Sequence, residues 1–232
     1  SVSHANVSGA DFAGGLVGFI YITGENSNAI TGSSATGAVH GGQGVGGLVG
    51  SVVDDGAGGQ EYVIHDSFAA GQVTGFMRVG GFIGNNAGVE IYNSFAWGDV
   101  VADQCECGPL GGFVGRQASE DSLVAYIHES FATGNVDQAD GGVWYSGGFV
   151  GEMDGGNIEN AYARGDTNGY EDFGGFAGRM NDGTILNVYS TGLVTPSGGG
   201  GLIGTATDGT VTSSFWDGDT AGQASSDGGI EL

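Results

Sequence analysis

The chain has no lysine, two prolines and two cysteines among its 232 residues, and each shortage removes a class of protein. With 4 basic side chains against 27 acidic ones the formal charge is -23, so the surface repels nucleic acid and anionic membrane and suits salt, divalent cations or cationic partners. Cys105 and Cys107 are too few for a disulfide framework and too close together to staple distant turns. A local bridge, two free thiols or a contact between subunits all stay open for them, and two sulfurs alone do not complete a tetrahedral metal site. No apolar run approaches about 20 residues, so no membrane-spanning helix and no direct membrane insertion are expected. Ser1 has no basic flank, so any targeting segment is expected to lie outside this sequence.

What is abundant is glycine, 52 residues of it, which argues against a helix-rich globule and for tight corners. A 39% hydrophobic content with 12 phenylalanines and 8 tyrosines argues equally against a disordered linker. The glycines are organised. Gly-Gly, two apolar residues and Gly recur from Gly14, Gly46, Gly80, Gly111, Gly147, Gly174 and Gly200, at spacings from 26 to 36 residues.

A second half-phrase follows each. Its apolar anchors are Ile30, Ile64, Ile91, Ile127, Ile158, Ile185 and Val211, and four positions on stand Ser34, Phe68, Phe95, Phe131, Tyr162, Tyr189 and Phe215. A small residue comes next in six copies and Trp216 in the seventh, then, past one variable position, a Gly. The even spacing predicts that anchor and aromatic share one strand face. Repetition of this kind predicts stacked units: an all-β, parallel β-solenoid of about seven short coils, each of three strands and three turns. Approximate coil starts fall at residues 12, 44, 78, 109, 145, 172 and 198, with a C-terminal cap over about 211–232 and one domain over 1–232. At about 4.8 Å per rung the body is roughly 30 Å long, with aliphatic and aromatic ladders supplying burial. Stacked antiparallel hairpins rank second, because the shortest units are small for a propeller blade.

The polar column Asp66, Asn93, Glu129, Asn160, Asn187 and Ser213 reads as solvent-facing or at a turn, and its neighbours Ser33, Ser67, Ser94, Ser130 and Ser214 as partly buried. None of those serines has a triad-like setting. His65 and His128 occupy equivalent positions two coils apart, about 10 Å, too far to share a metal ion.

The residues that break the repeat carry the functional reading. Longer segments at Phe19 to Ala29, Ser51 to Val63 and Arg116 to Tyr126 recur at one repeat position, and further extensions precede the fourth and fifth Gly-Gly pairs. They contain the candidate binding residues Asp54, Asp55, Glu61, Tyr62, Asp103, Glu106, Glu120, Asp121, Tyr126, Asp137, Asp140, Trp144 and Tyr145. Aromatic faces beside carboxylates suit carbohydrate or protein, and converging oxygens suit calcium.

The pairing of GGFVG with NSFAWG, ESFATG and NAYARG resembles the GLUG repeat of bacterial and archaeal surface-associated proteins, from about Gly14 to Gly204 and on into Val211 to Gly229. The resemblance implies an extracellular or cell-surface setting and a role as adhesin, filament component or accessory repeat domain. GLUG repeats also occur beside peptidase domains, but no HExxH metal-binding motif is present here. The expectation is a noncatalytic adhesion or surface-filament domain that presents acidic and aromatic loops to protein, glycan or cation partners. The alternatives are a self-assembling polymer subunit and a polysaccharide-active enzyme, for which no acid pair can be assigned.

Overall fold

The computed structural model describes residues 1–23, 28–54, 62–103, 108–119, 123–138, 142 and 144–232. The chain winds as a parallel β-solenoid whose coils build four sheets, of 9, 7, 5 and 12 strands. Each coil therefore turns more often than the three-strand reading expects. One full coil runs through Val39–His40 on a valine face, Gln43–Gly46 on a glycine face and Val49–Asp54 on a long face. It continues along the long face in the same direction as Tyr62–His65 and closes with Phe68–Ala69 on an aromatic face. In the fifth and sixth coils the two long-face segments fuse into single strands, Val150–Glu159 and Ala177–Leu186.

Register is kept by like residues stacking on like. Ile64 lies beside Ile91, Ile91 beside Ile127, and Ile158 beside Ile185. Between rungs the backbone satisfies itself, as where the Phe82 and Phe113 amides donate to the carbonyls of Phe113 and Phe149, both at 2.9 Å.

The paired glycines do not turn corners, since none of them has positive φ. They allow close approach. A Cβ on Gly81 would lie 2.1 Å from the Gly112 carbonyl oxygen and 3.2 Å from the Ala96 Cβ. The second glycine of the first six phrases thus meets the small residue of the aromatic face, Gly201 meeting Trp216 in the seventh, and this waist divides the interior. On one side lies the main core of Phe82, Phe113, Phe149, Phe176 and the isoleucines; on the other lies a smaller valine core around Val45, Val73, Val79 and Val100.

The true corner sits between the two half-phrase anchors. Asp66, Asn93, Glu129, Asn160, Asn187 and Ser213 all have φ between 47° and 53°, the left-handed region that short polar side chains tolerate best. This corner separates the Ile strand from the aromatic strand, so the two residues do not share a face. Ile64, Ile91, Ile127, Ile158 and Ile185 point inward and are fully buried. Phe68, Phe95, Phe131, Tyr162, Tyr189 and Phe215 point outward and are half-buried, while the small residue after each points in. The aromatic ladder is consequently an outer one.

Beneath the corner runs a buried serine ladder. The backbone amides of Ser33, Ser67 and Ser94 donate to the hydroxyls of Ser67, Ser94 and Ser130 at 3.1, 3.3 and 3.3 Å. Each of those hydroxyls donates in turn to the carbonyl two residues earlier in its own coil, those of His65, Tyr92 and His128.

The ends differ. Val2–Ser3 and Val7–Ser8 add strands to the aromatic and valine faces at the N-terminal end. At the other end Thr210–Thr212 and Phe215–Trp216 still belong to the last rung. A single helical turn, Gly218–Ala221, follows, capped by the Asp217 carboxylate. Trp216, standing where other coils have alanine or serine, fills the end of the core with Ala221. Ser226 accepts from the Ile203 amide at 2.8 Å, the Gln223 amide donates to the Val194 carbonyl at 2.6 Å, and Ile230–Glu231 supplies a final strand.

Candidate functional site

The outer surface of the long face carries polar and aromatic side chains that contact one another from rung to rung. Because strand faces alternate, Glu152, Asp154 and Glu159 all project outward from Val150–Glu159, a bulge after Asp154 keeping the phase.

Two clusters occupy this face. In the first, His65, Tyr92 and His128 stack from rung to rung with centroids 4.8 and 5.1 Å apart. The histidines are tied to carboxylates: His65 Nδ1 to Asp66 at 2.9 Å and His128 Nε2 to Glu90 at 3.1 Å. Tyr126 packs beside His128 and donates its hydroxyl proton to Glu159 at 2.6 Å. That hydrogen bond to a carboxylate, with some burial, pushes the Tyr126 phenol up to about 12. The Asp66 carboxyl is held below the usual range by hydrogen bonds from His65 and then Asn93.

The second cluster draws together basic residues that are scarce in this chain. Register sets Arg116, Glu152 and Arg179 side by side on successive rungs. Arg116 Nε donates to Asp154 at 2.7 Å and lies 3.7 Å from Glu152. Arg179 donates to Asn181 at 2.7 Å and to the Tyr145 hydroxyl at 2.6 Å, with its guanidinium 5.0 Å from that ring. Asn181 closes the circuit by donating to Asp154 at 2.6 Å. Burial and then Asp154 raise the Glu152 carboxyl pKa, against Arg116, Arg179 and Arg78.

The expected binding residues do not converge on one place. Tyr126 stands on the long face, whereas Tyr145 precedes the glycine-face strand Ser146–Gly147 and joins the second cluster through its hydroxyl. Tyr62 lies in a strand of the long-face sheet, packs against the main core and has its phenol pKa raised by burial. Asp103 and Asp137 belong with the valine face, where Asp103 sits 3.7 Å from His40 and Asp137 accepts from Asn168 at 2.9 Å. Trp144 is exposed and meets Tyr145 edge-on at 6.5 Å. Asp54 ends the strand Val49–Asp54. Asp55, Glu61, Glu106, Glu120, Asp121, Asp140, Cys105 and Cys107 lie outside the described residues. The insertions are shorter than the sequence reading draws them, because Phe19–Ile22, Ser51–Asp54 and Arg116–Ala118 are strand. Among the described residues no three His, Cys, Asp or Glu side chains are grouped to hold a metal ion.

Glu90, Glu152, Asp154 and the arginines are the residues that sequence reasoning passes over. Glu90 meets His128 and Arg116 meets Asp154 across 38 positions, Arg179 meets Tyr145 across 34 and Asp154 meets Asn181 across 27, and only the rung register brings them together. The outer aromatic ladder is a poor platform for sugar stacking. Its rings face one another at 3° to 11°, so solvent meets their edges; Trp97, tilted 30° from Phe95, breaks the pattern.

Fold, columns and surface together define a β-solenoid repeat protein. The chain is similar to Halomucin of Haloquadratum walsbyi, 36% identical over a 174-residue alignment that covers 69% of this chain and 2% of that protein. This chain therefore spans a small part of the relative it matches. No protein-family model and no solved structure matches it. Among the described residues no helix is long and apolar enough to cross a membrane. Repeat architecture and this similarity fit a surface repeat protein.

Proposed function

We propose that the chain is a noncatalytic, surface-associated β-solenoid module that presents acidic and aromatic groups to protein, glycan or cation partners. The observation that supports this reading is how the long face uses its titratable groups. Tyr126 is bound to Glu159, His128 to Glu90 and Arg116 to Asp154, each pair joining different rungs. Groups engaged in this way stiffen the scaffold and hold a fixed pattern of charge. The excess of acid keeps such a surface hydrated and draws in cations, calcium among them. The resemblance to GLUG repeats and the similarity to a protein named as a mucin support a place at the cell surface, as part of an adhesin or filament.

The test is equilibrium binding of the purified chain to calcium chloride, to a lysine-rich protein and to a glycan array, with product analysis on the same glycans. Binding without turnover, weakened several-fold by the double change Glu90→Gln and Glu159→Gln, is the expected result. Glycan cleavage that disappears in Glu152→Gln would replace this reading with a polysaccharide-active enzyme, since that residue has the raised carboxyl pKa a general acid needs.

A further inference from the structure

Of the four basic residues in the chain, three meet on one outer strip of the long face, and one of those three has no partner. Asn85, Arg116, Glu152 and Arg179 hold the same strand position on successive rungs, about 14 Å from end to end at about 4.8 Å per rung. Phe19, two rungs before Asn85 in the same column and 44% exposed, marks that column as outward. Arg78 comes in from the adjoining corner. A Cβ on Gly84 would lie 2.6 Å from its carbonyl oxygen, and one on Gly115 2.5 Å from its carbonyl carbon, so Arg78 is seated beside the residues that follow these glycines, Asn85 and Arg116. Its charge reaches Glu152, where it opposes the raised pKa of that carboxyl.

Two polar groups on this strip are left unused. Arg116, Arg164 and Arg179 each donate to a partner, Asp154, Tyr189 and Tyr145, whereas the guanidinium of Arg78 has no hydrogen-bond partner among the described residues. The second group is the amide of Asn85, which is 3% exposed. Its Nδ2 donates to the Val52 carbonyl at 3.1 Å, which fixes the orientation of the amide, and its Oδ1 is buried without a donor. A buried acceptor left in this state bears its full desolvation cost.

The strip therefore calls for two things close together: an anionic acceptor for Arg78 and a small donor for Asn85. Within this network three guanidiniums face two carboxylates, Glu152 and Asp154, so the local charge is positive in a chain of net charge -23. A carboxylate with hydroxyls on the same ring meets both demands, and that is a uronate sugar. An acidic peptide fits less well, because methylenes flank its side-chain carboxylates and its nearest donor is a backbone N–H. Trp144, 51% exposed beside Tyr145, adds an aromatic face next to the ring that Arg179 covers.

We propose that this strip binds an acidic glycan: a uronate sets its carboxylate on Arg78 and a neighbouring hydroxyl on Asn85 Oδ1, and the sugar chain runs along the solenoid axis past Arg116 toward Arg179. The site rests on the reading of the chain as a noncatalytic binding module and adds the class of ligand to it. Net charge conceals it, because one basic strip is averaged with acids over the rest of the molecule.

The experiment is calorimetric titration of the full chain with a short oligogalacturonate, its methyl ester and an oligoglutamate of equal charge, in enough salt to screen the repulsion between two polyanions. Binding of the oligogalacturonate, with the ester weaker by about tenfold, is expected. Arg78→Gln should weaken binding by about tenfold and, because the guanidinium makes no hydrogen bond, should melt where wild type does. Arg78→Lys, which keeps the charge and loses the planar fork, should lose several-fold, as should Asn85→Ala. Arg164→Gln removes the same charge from the aromatic face and should bind as wild type does. The site is excluded if the oligogalacturonate does not bind, if the ester or oligoglutamate binds as tightly, or if Arg164→Gln weakens binding as much as Arg78→Gln. Unchanged binding in both Arg78 variants, or in Asn85→Ala, excludes it too. Binding of oligoglutamate alone would remove this site and leave the noncatalytic reading standing, whereas sugar turnover that depends on Arg78 would keep the site and overturn that reading.

Discussion

Two stacks of aromatic rings run along this solenoid, one inside and one outside, and they have nearly the same geometry. The inner rings, Phe82, Phe113, Phe149 and Phe176, follow one another at 4.7, 4.8 and 4.8 Å. The outer rings, Phe68, Phe95, Phe131, Tyr162 and Tyr189, do so at 5.5, 5.0, 4.8 and 5.1 Å. Rung spacing imposes the stacking in both, because parallel strands lie about 4.8 Å apart. Burial is what distinguishes them. The inner rings are 0% exposed, whereas each outer ring shows an edge to water. The same contact therefore fills the core in one place and finishes a surface in the other.

The sharpest way to break the comparison is to delete one ring from each stack. Phe149→Ala opens a cavity that neighbouring rungs cannot close, and should cost about 3–5 kcal/mol. Phe131→Ala loses two stacked neighbours and half-buried area, and should cost about 1–2 kcal/mol. Urea denaturation of both variants at one fixed salt concentration reads the difference; equal losses would mean that stacking, and not burial, carries the energy. The polar ladders extend the test. Ser94→Ala leaves the buried Ser67 amide, which donates to that hydroxyl at 3.3 Å, without its acceptor. That should cost about 1–3 kcal/mol in the same assay, and a neutral result would show that the buried serine ladder adds nothing to register.

Most of the fold is legible in the sequence because one coil cannot hide its own apolar face, so seven copies of a phrase imply a stack. The isoleucine column is readable for the same reason. Which aromatic goes inside is not, because both sets are apolar and both recur. The deciding residue is the left-handed one at Asn93 and its equivalents, which turns the chain so that positions four apart lose their common face. A clue is present in Ala69, Ala96, Ala132 and Ala163. A small residue repeated beside a large one marks the inward position where the waist is narrow, and each of these alanines is 0% exposed. The candidate site is less legible. Tyr126 is identifiable as an aromatic beside a coil insertion, but its bond to Glu159 depends on a register that spacing alone does not give. Arg116 and Glu152 are hidden inside regular strands for the same reason.

The smallest expected effect belongs to the outer polar pair, and it shows only at alkaline pH. Tyr126 is pushed up to about 12, chiefly by the hydrogen bond its phenol donates to Glu159, while in the unfolded chain it titrates near 10. Between those values the unfolded state has lost the proton and the folded state keeps it. Stability from this pair is therefore fully present below about pH 10 and lost as pH rises toward 12. Tyr126→Phe removes the titration, so the melting temperatures of wild type and variant should differ by a constant amount up to about pH 10 and converge above it. The pair is partly exposed to solvent, so the shift should be a small part of that seen for the inner serine, and a difference that stays flat through the whole alkaline range would exclude the Tyr126–Glu159 bond as a strut between rungs.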